Sequence, residues 1–343
     1  MKILITGATG LIGSQIINDA LSQGIEVNFL TTRRIKTVNE NKLNGFYWNP
    51  DNSHIENLEC FEKVDTIIHL AGSRIDKRWT NRYKKKILES RIKSLEFLFT
   101  VIQSNNFSVN HLISASAIGC YPSSESKEFN ENEPIKADNF LSKVVNDWEL
   151  AANKFNSIGI PVSIVRIGLV VSAKGGFFRK TVESMFYTKI AVIFGDGKQF
   201  QSWIHIEDVS AIFLFISKNK LLGNFNAVAP NPITNLEMVN TTKNQLYDVL
   251  LNKNFETFTG KRFTYDYIGF KKKLLVYCSV KVPRNFFRFI FGEMHSILFS
   301  SQKVSPKKIQ NSGYNFKYSS FNNAIVNLDK WHFGTNHIMA VIL

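Results

Sequence analysis

Thr6-Gly7-Ala8-Thr9-Gly10-Leu11-Ile12-Gly13 follows directly on the apolar run Ile3-Leu4-Ile5 and opens the amphipathic stretch Ser14 to Ser22. Strand, glycine-rich turn and helix therefore come in one piece, the local form of a dinucleotide seat. The turn must be tight, the backbone must come close to a pyrophosphate, and the helix must pack hard on the strand, so side chains are excluded at three positions. The pyrophosphate would meet the free amides and the positive end of the helix, which makes Gly7, Thr9, Gly10, Leu11, Ile12 and Gly13 the expected cofactor contacts.

Outward from this turn, short apolar runs alternate with helical patterns. Ile3 to Ile5, Glu26 to Leu30, Thr66 to His69, His111 to Ser114 and Val162 to Val165 read as strands; Ser14 to Ser22, Tyr83 to Gln103 and Leu141 to Phe155 read as helices. The repetition predicts an α/β fold, a Rossmann-type doubly wound parallel sheet covered on both faces, with its site at the carboxyl ends of the strands. Beyond Asn231-Pro232 the alternation fades. The expected organisation is a dinucleotide-binding domain over 1–235, a smaller, mainly helical C-terminal domain over 236–328, and a tail of low order over 329–343.

The 343 residues are 44% hydrophobic, a globular composition. No uncharged apolar run is long enough to span a membrane and Met1-Lys2 runs straight into a strand, so neither a span nor a leader is expected and the chain reads as cytoplasmic. Cys60, Cys120 and Cys278 are far apart and in no CxxC spacing, which argues against a disulfide framework and against a metal site. The net charge of +14 sits mostly in the second half, where residues 171–343 hold 22 Lys and Arg against 10 Asp and Glu. Lys271-Lys272-Lys273 with Lys303, Lys307 and Lys308 would suit an anionic surface. The chain carries no nucleic-acid module, however, and its richness in Lys, Asn, Ile and Phe reads as compositional drift; a small-molecule substrate is expected, with no nucleic acid and no membrane as partner, and a homodimer is left open.

The second strand ends in Leu30-Thr31-Thr32-Arg33-Arg34, where an NAD enzyme places a carboxylate for the adenosine ribose hydroxyls. Arg33 and Arg34 would instead fork a 2′-phosphate, so the sequence leans to NADP over NAD. Leu70, Ala71 and Gly72 end the third strong strand with small residues on which the cofactor ribose can lie. With Ser114 on the next strand and Arg91 on the intervening helix they complete the expected cofactor seat. The loop from Ser73 to Lys84 is rich in arginine and carries one tryptophan, which suits an anionic or phosphorylated substrate; Arg74, Trp79 and Trp203 are its expected contacts.

His69 to Gly72, Arg78-Trp79-Thr80, Ser90-Arg91-Ile92, Ser114 to Tyr121, Phe140-Leu141 with Trp148-Glu149, Arg166 to Val170, Ser202 to Asp208, Pro230-Asn231-Pro232, Gly292-Glu293-Met294 and Pro306-Lys307-Lys308 stand in the order of one known pattern. Over about 1–325 the chain resembles the atypical extended short-chain dehydrogenase/reductase group, the YfcH-like epimerase-family proteins. The resemblance implies a bound nicotinamide nucleotide and a chemistry related to sugar-nucleotide epimerases and reductases, without naming a substrate. Residues 236–282 are longer than the family pattern, and nothing after Leu328 matches it.

Typical extended members use a Ser or Thr to orient the reacting oxygen, a Tyr to exchange its proton, and a Lys four residues on to favour the phenolate. Ser116 fits the first role and Lys143 is a candidate for the last. Four residues before Lys143 stands Asn139, which has no proton to exchange; anchored instead on Glu149, the two places become Leu141 and Val145. Tyr121 is then the remaining phenol for proton transfer, with a packed aromatic as the alternative. His205 is a further acid or base candidate, or an orienting residue, while Asp208 is expected to cap the helix from Val209 to Ile216. Two functions stay open: an NADP-dependent oxidoreductase or epimerase on a small, anionic or sugar-nucleotide-like substrate, and an NADP-binding sensor without turnover.

Overall fold

The computed structural model describes residues 1–34, 39–40, 42–251 and 278–326. The basic run at 271–273 and the tail at 329–343 lie outside the described residues.

Seven parallel strands form the frame: β1 (Lys2–Thr6), β2 (Glu26–Thr31), β3 (Leu43–Asn49), β4 (Thr66–His69), β5 (His111–Ala117), β6 (Val162–Ile167) and β7 (Gly223–Ala227). They lie in the order β7-β6-β5-β4-β1-β2-β3, and short antiparallel strands at Asn39–Glu40 and His54–Ile55 add to β3. Inner strands are buried on both faces, which is why they read as unbroken apolar runs: Ile3, Leu4, Ile5, Ile67, Ile68, Leu112 and Ile113 have no exposed surface. Ile5 sits between Phe29 and Ile68, so the chain reverses direction across the sheet on either side of β1. That reversal opens a crevice at the carboxyl ends of β1 and β4.

The helices are α1 (Leu11–Ser22), α2 (Asn81–Asn105), α3 (Phe140–Asn153), α4 (Gly176–Thr188), α5 (Ile206–Asn219) and α6 (Asn235–Leu251). α1 packs on α5, and α2 on α3. Because β1-α1-β2 and β4-α2-β5 run in opposite directions along the sheet, right-handed crossovers put α1 and α2 on opposite faces. No helix among the described residues is long and apolar enough to cross a membrane.

A second core gathers Val171, Phe178, Val182, Met185, Ala191 and Trp203 with Met238, Leu246, Phe321 and Ile325. The boundary expected at residue 235 therefore falls inside a core rather than between two, because the segment after β6 leaves the sheet and packs with the C-terminal helices. Ile309 and Tyr314 in turn come back to the sheet and belong to the main core.

Candidate functional site

The glycine turn has the shape its sequence demands. Gly7 has φ +67°, and a Cβ there would lie 2.7 Å from the Leu70 carbonyl carbon and oxygen and 2.9 Å from the Ala71 nitrogen. A Cβ on Gly13 would lie 2.5 Å from the Gly7 carbonyl oxygen, and the Gly10 amide donates to that same oxygen at 2.9 Å. Gly10 caps α1 with no side-chain hydrogen bond, so the first amides of the helix are left for a ligand. Thr6 ties the two sides of the crevice: its hydroxyl accepts from the amides of Leu70 and Ala71, both at 3.2 Å. Three side-chain-free positions beside an uncapped helix start are the cradle a dinucleotide diphosphate needs, and these residues fit that group.

At the end of β2 the expected carboxylate is absent and Arg33 is exposed, without a side-chain partner among the described residues. Arg34 is engaged: it pairs with Glu56 at 2.5 Å and lies 4.2 Å over the Tyr47 ring. Of the two arginines, Arg33 is thus the one free to meet a 2′-phosphate.

Arg91 reaches from α2 to the end of β4. Its guanidinium carbon lies 3.1 Å from where a Gly72 Cβ would be, and 4.8 Å from the Trp148 ring. Nη1 donates to the carbonyls of Ser73 and Ile87, while Nε is shut off from solvent without an acceptor. Burial pulls the group down to about 10. Ser114 does not face the crevice as expected: it is fully buried and its hydroxyl donates to the Ala115 carbonyl.

The residues expected to carry chemistry are committed elsewhere. Ser116 is buried, and its hydroxyl donates to Glu149 Oε1 at 2.7 Å. Glu149 is held by Arg166 through two charge-assisted bonds of 2.9 and 2.8 Å, with the pair almost sealed from water. Tyr121 is buried as well; its hydroxyl donates to Asn226 at 2.8 Å and accepts from Arg166 at 3.0 Å. Burial pushes its phenol well above the ordinary tyrosine range, opposite to what a proton-exchanging tyrosine needs. Ser116 and Tyr121 are thus both members of a buried polar chain, Ser116–Glu149–Arg166–Tyr121–Asn226, that locks β5, β6, β7 and α3 together.

Lys143 does not take the lysine role. Asn139 is the N-cap of α3, in a capping box with Ser142, worth about 1 kcal/mol to the helix. Glu149 faces the sheet, and Leu141 and Val145 share its stripe at four-residue spacing. Lys143 is exposed on the same side as Leu150, seven residues on. In the register anchored on Glu149 the two places fall on Leu141 and Val145, neither of which has a proton to exchange. Leu141 packs beside Gly119, 3.5 Å from where a Cβ would stand.

The two tryptophans pack rather than line a pocket. Trp79 is buried edge-on to Phe140, its indole nitrogen donating to the Ile75 carbonyl. Trp203 has no exposed surface; it meets Phe321 and donates to the Asn231 carbonyl. His205, not Asp208, caps α5: Nδ1 accepts from the Glu207 amide, the ring rests 3.9 Å from Tyr318, and burial lowers its pKa. Asp208 lies within the helix and grips the chain end, accepting from the Tyr314 hydroxyl at 2.8 Å and from the amides of Lys317 and Tyr318 at 2.9 and 3.0 Å.

Sequence reasoning missed the strap over the turn. Gly175 and Gly176 lie against Leu11, Lys174 donates to Gln15, and Lys180 reaches Asp76 at 2.8 Å. Asp76 is also held by both arms of the exposed Arg74, whose hydrogen bonds keep it far below the usual carboxylate range. The pair Gly175-Gly176 just before a helix was its one legible signal.

Comparison with known proteins agrees with this geometry. Residues 3–227 match the NAD dependent epimerase/dehydratase family, and residues 282–328 match a domain of unknown function, DUF1731. An epimerase family protein of Staphylococcus aureus is 33% identical over 330 residues, 96% of this chain and 99% of that protein. One from Staphylococcus epidermidis is 31% identical over the same shares. Among solved structures, human epimerase family protein SDR39U1 with NADPH has a TM-score of 0.73 at 23% identity, over 95% of this chain and 98% of that one. The dTDP-glucose 4,6-dehydratase of Bacillus anthracis with NAD has a TM-score of 0.69 at 16% identity, over 96% of each.

Proposed function

The chain belongs to the NAD dependent epimerase/dehydratase family, and from that premise we propose that it binds NADP(H) as a ligand whose redox state it senses, without turnover through a serine, tyrosine and lysine. The observation that carries this reading is the contrast within one crevice. The glycine cradle is complete, whereas Ser116 and Tyr121 are spent in a buried network and Lys143 faces solvent; in the register anchored on Glu149, Leu141 and Val145 stand where the tyrosine and lysine would be. NADP is preferred because Arg33 stands free where an NAD protein carries a carboxylate, and the human relative of the same fold was solved with NADPH. The protein's part is to hold the diphosphate on the α1 amides and the ribose against Leu70, Ala71 and Gly72.

The oxidoreductase or epimerase reading is favoured by one observation of its own. Arg91 lies at the end of β4 with no carboxylate partner among the described residues, a setting for a small anionic substrate. Labelled NADPH separates the two. The protein should bind it, yet pass no label to a panel of carbonyl compounds, organic acids and sugar nucleotides; transfer to any of them would establish the enzyme instead.

A further inference from the structure

The crevice holds a positive charge that no carboxylate among the described residues neutralises. Among the described residues Arg91 has no carboxylate partner: its hydrogen bonds go to two neutral carbonyls, Ser73 at 3.2 Å and Ile87 at 2.9 Å. Nε, shut off from water, has no acceptor at all. Beside it stands a second unmatched donor, the indole Nε1 of Trp148, whose ring the guanidinium overlies. Buried polar donors are nearly always paired, and a cation taken out of water without a counter-ion is costly to keep. Two such donors side by side, packed against Gly72 at the end of β4, indicate that their partner arrives with a ligand.

The dinucleotide's own phosphates are accounted for elsewhere. The diphosphate belongs to the α1 amides at the end of β1, and a 2′-phosphate to Arg33 at the end of β2. Arg91 stands behind Gly72 at the end of β4, on the other side of the chain reversal. We propose that Arg91, seated on Trp148, receives the carboxylate or phosphate group of a second small ligand bound beside the nicotinamide end of the dinucleotide. This rests on the dinucleotide seat proposed above. Arg74 and Lys84 do not compete for that group, since they already spend their charge on Asp76 and Glu293 while Arg91 does not.

The test uses the full chain saturated with NADPH, titrated with inorganic phosphate, acetate or chloride at equal ionic strength, and reads thermal unfolding and tryptophan emission. Phosphate or acetate should raise the melting temperature saturably where chloride does not. Arg91→Met should abolish that response and melt no lower than the wild type without ligand, since it removes an unpaired charge. Arg91→Lys should keep a weakened response. A fall in NADPH affinity of about tenfold or more in Arg91→Met would assign Arg91 to the dinucleotide and overturn the proposal. So would an anion response that survives in Arg91→Met, no response beyond chloride in the wild type, or a collapse of stability in Arg91→Met and Arg91→Lys alike, which would make the residue a structural clamp. Failure of the wild type to bind NADPH strikes the proposed function instead; the anion arms then run on the free protein, and their dependence on Arg91 decides this proposal separately.

Discussion

Replacing Gly7 by alanine tests the cradle where it is tightest. The added Cβ would stand 2.7 Å from two atoms of the Leu70 carbonyl and 2.9 Å from the Ala71 nitrogen, all of them backbone of the neighbouring strand end. Ordinary carbon contacts lie at about 3.5–4.0 Å, so β1 and β4 would have to part by roughly 1 Å. The φ of +67° adds a left-handed penalty of about 1–2 kcal/mol for alanine, and overpacking a filled site adds about 1–3 kcal/mol. Gly7→Ala is therefore expected to lose about 2–5 kcal/mol in urea unfolding, and its NADPH affinity should fall by about tenfold or more as the α1 amides shift. Gly159 provides the control: its φ is +77°, yet a Cβ there meets nothing within 4 Å. Gly159→Ala should cost only the backbone penalty of about 1–2 kcal/mol and leave NADPH binding intact. Equal stability and equal NADPH affinity in the two variants would refute the steric account of the turn.

Glu149→Gln removes the counter-ion of a nearly sealed Arg166 and should cost about 3–5 kcal/mol by urea unfolding; a loss below about 1 kcal/mol would mean the buried network holds little together. The half-exposed bridge from Lys180 to Asp76 should matter little for stability, below about 1 kcal/mol, but Lys180→Met should speed NADPH release in stopped-flow chase, and an unchanged rate would remove the strap's role. His69 and His111 are pulled down by burial to about 3 and about 4. Both stay neutral when folded while the unfolded chain takes up protons below the ordinary pKa of about 6.5, so stability should be full above that pH and fall toward pH 4, by up to about 1.4 kcal/mol per pH unit for each histidine. A flat urea midpoint from pH 7 to pH 5 would contradict this.

Much of the frame was legible because its signals are local. The turn from Gly7 to Gly13 and the strands at the sheet centre announce themselves by glycine spacing and unbroken apolar runs. β3 and β7 do not. β3 is half-buried along most of its length, and β7, with the sequence Gly-Asn-Phe-Asn-Ala, is an edge strand whose Asn226 serves the buried network. Site chemistry was harder to read because partners come from far along the chain. Nothing near Ser116 says that Glu149, 33 residues away, will accept the hydrogen bond from its hydroxyl, nor does Asp208 reveal the amides it meets more than a hundred residues later. Asn139 is a further case: its sequence context shows only a residue with no proton to exchange, and its capping box with Ser142 appears in the structure.

The central claim is a seat built for NADP(H), and direct titration tests it. Following nucleotide fluorescence, the wild type should bind NADPH saturably and more tightly than NADH by about tenfold or more, and Arg33→Asp with Arg34→Ala should erase or reverse that preference. Absence of saturable NADPH binding, or a preference for NADPH unchanged in the double variant, would contradict the account.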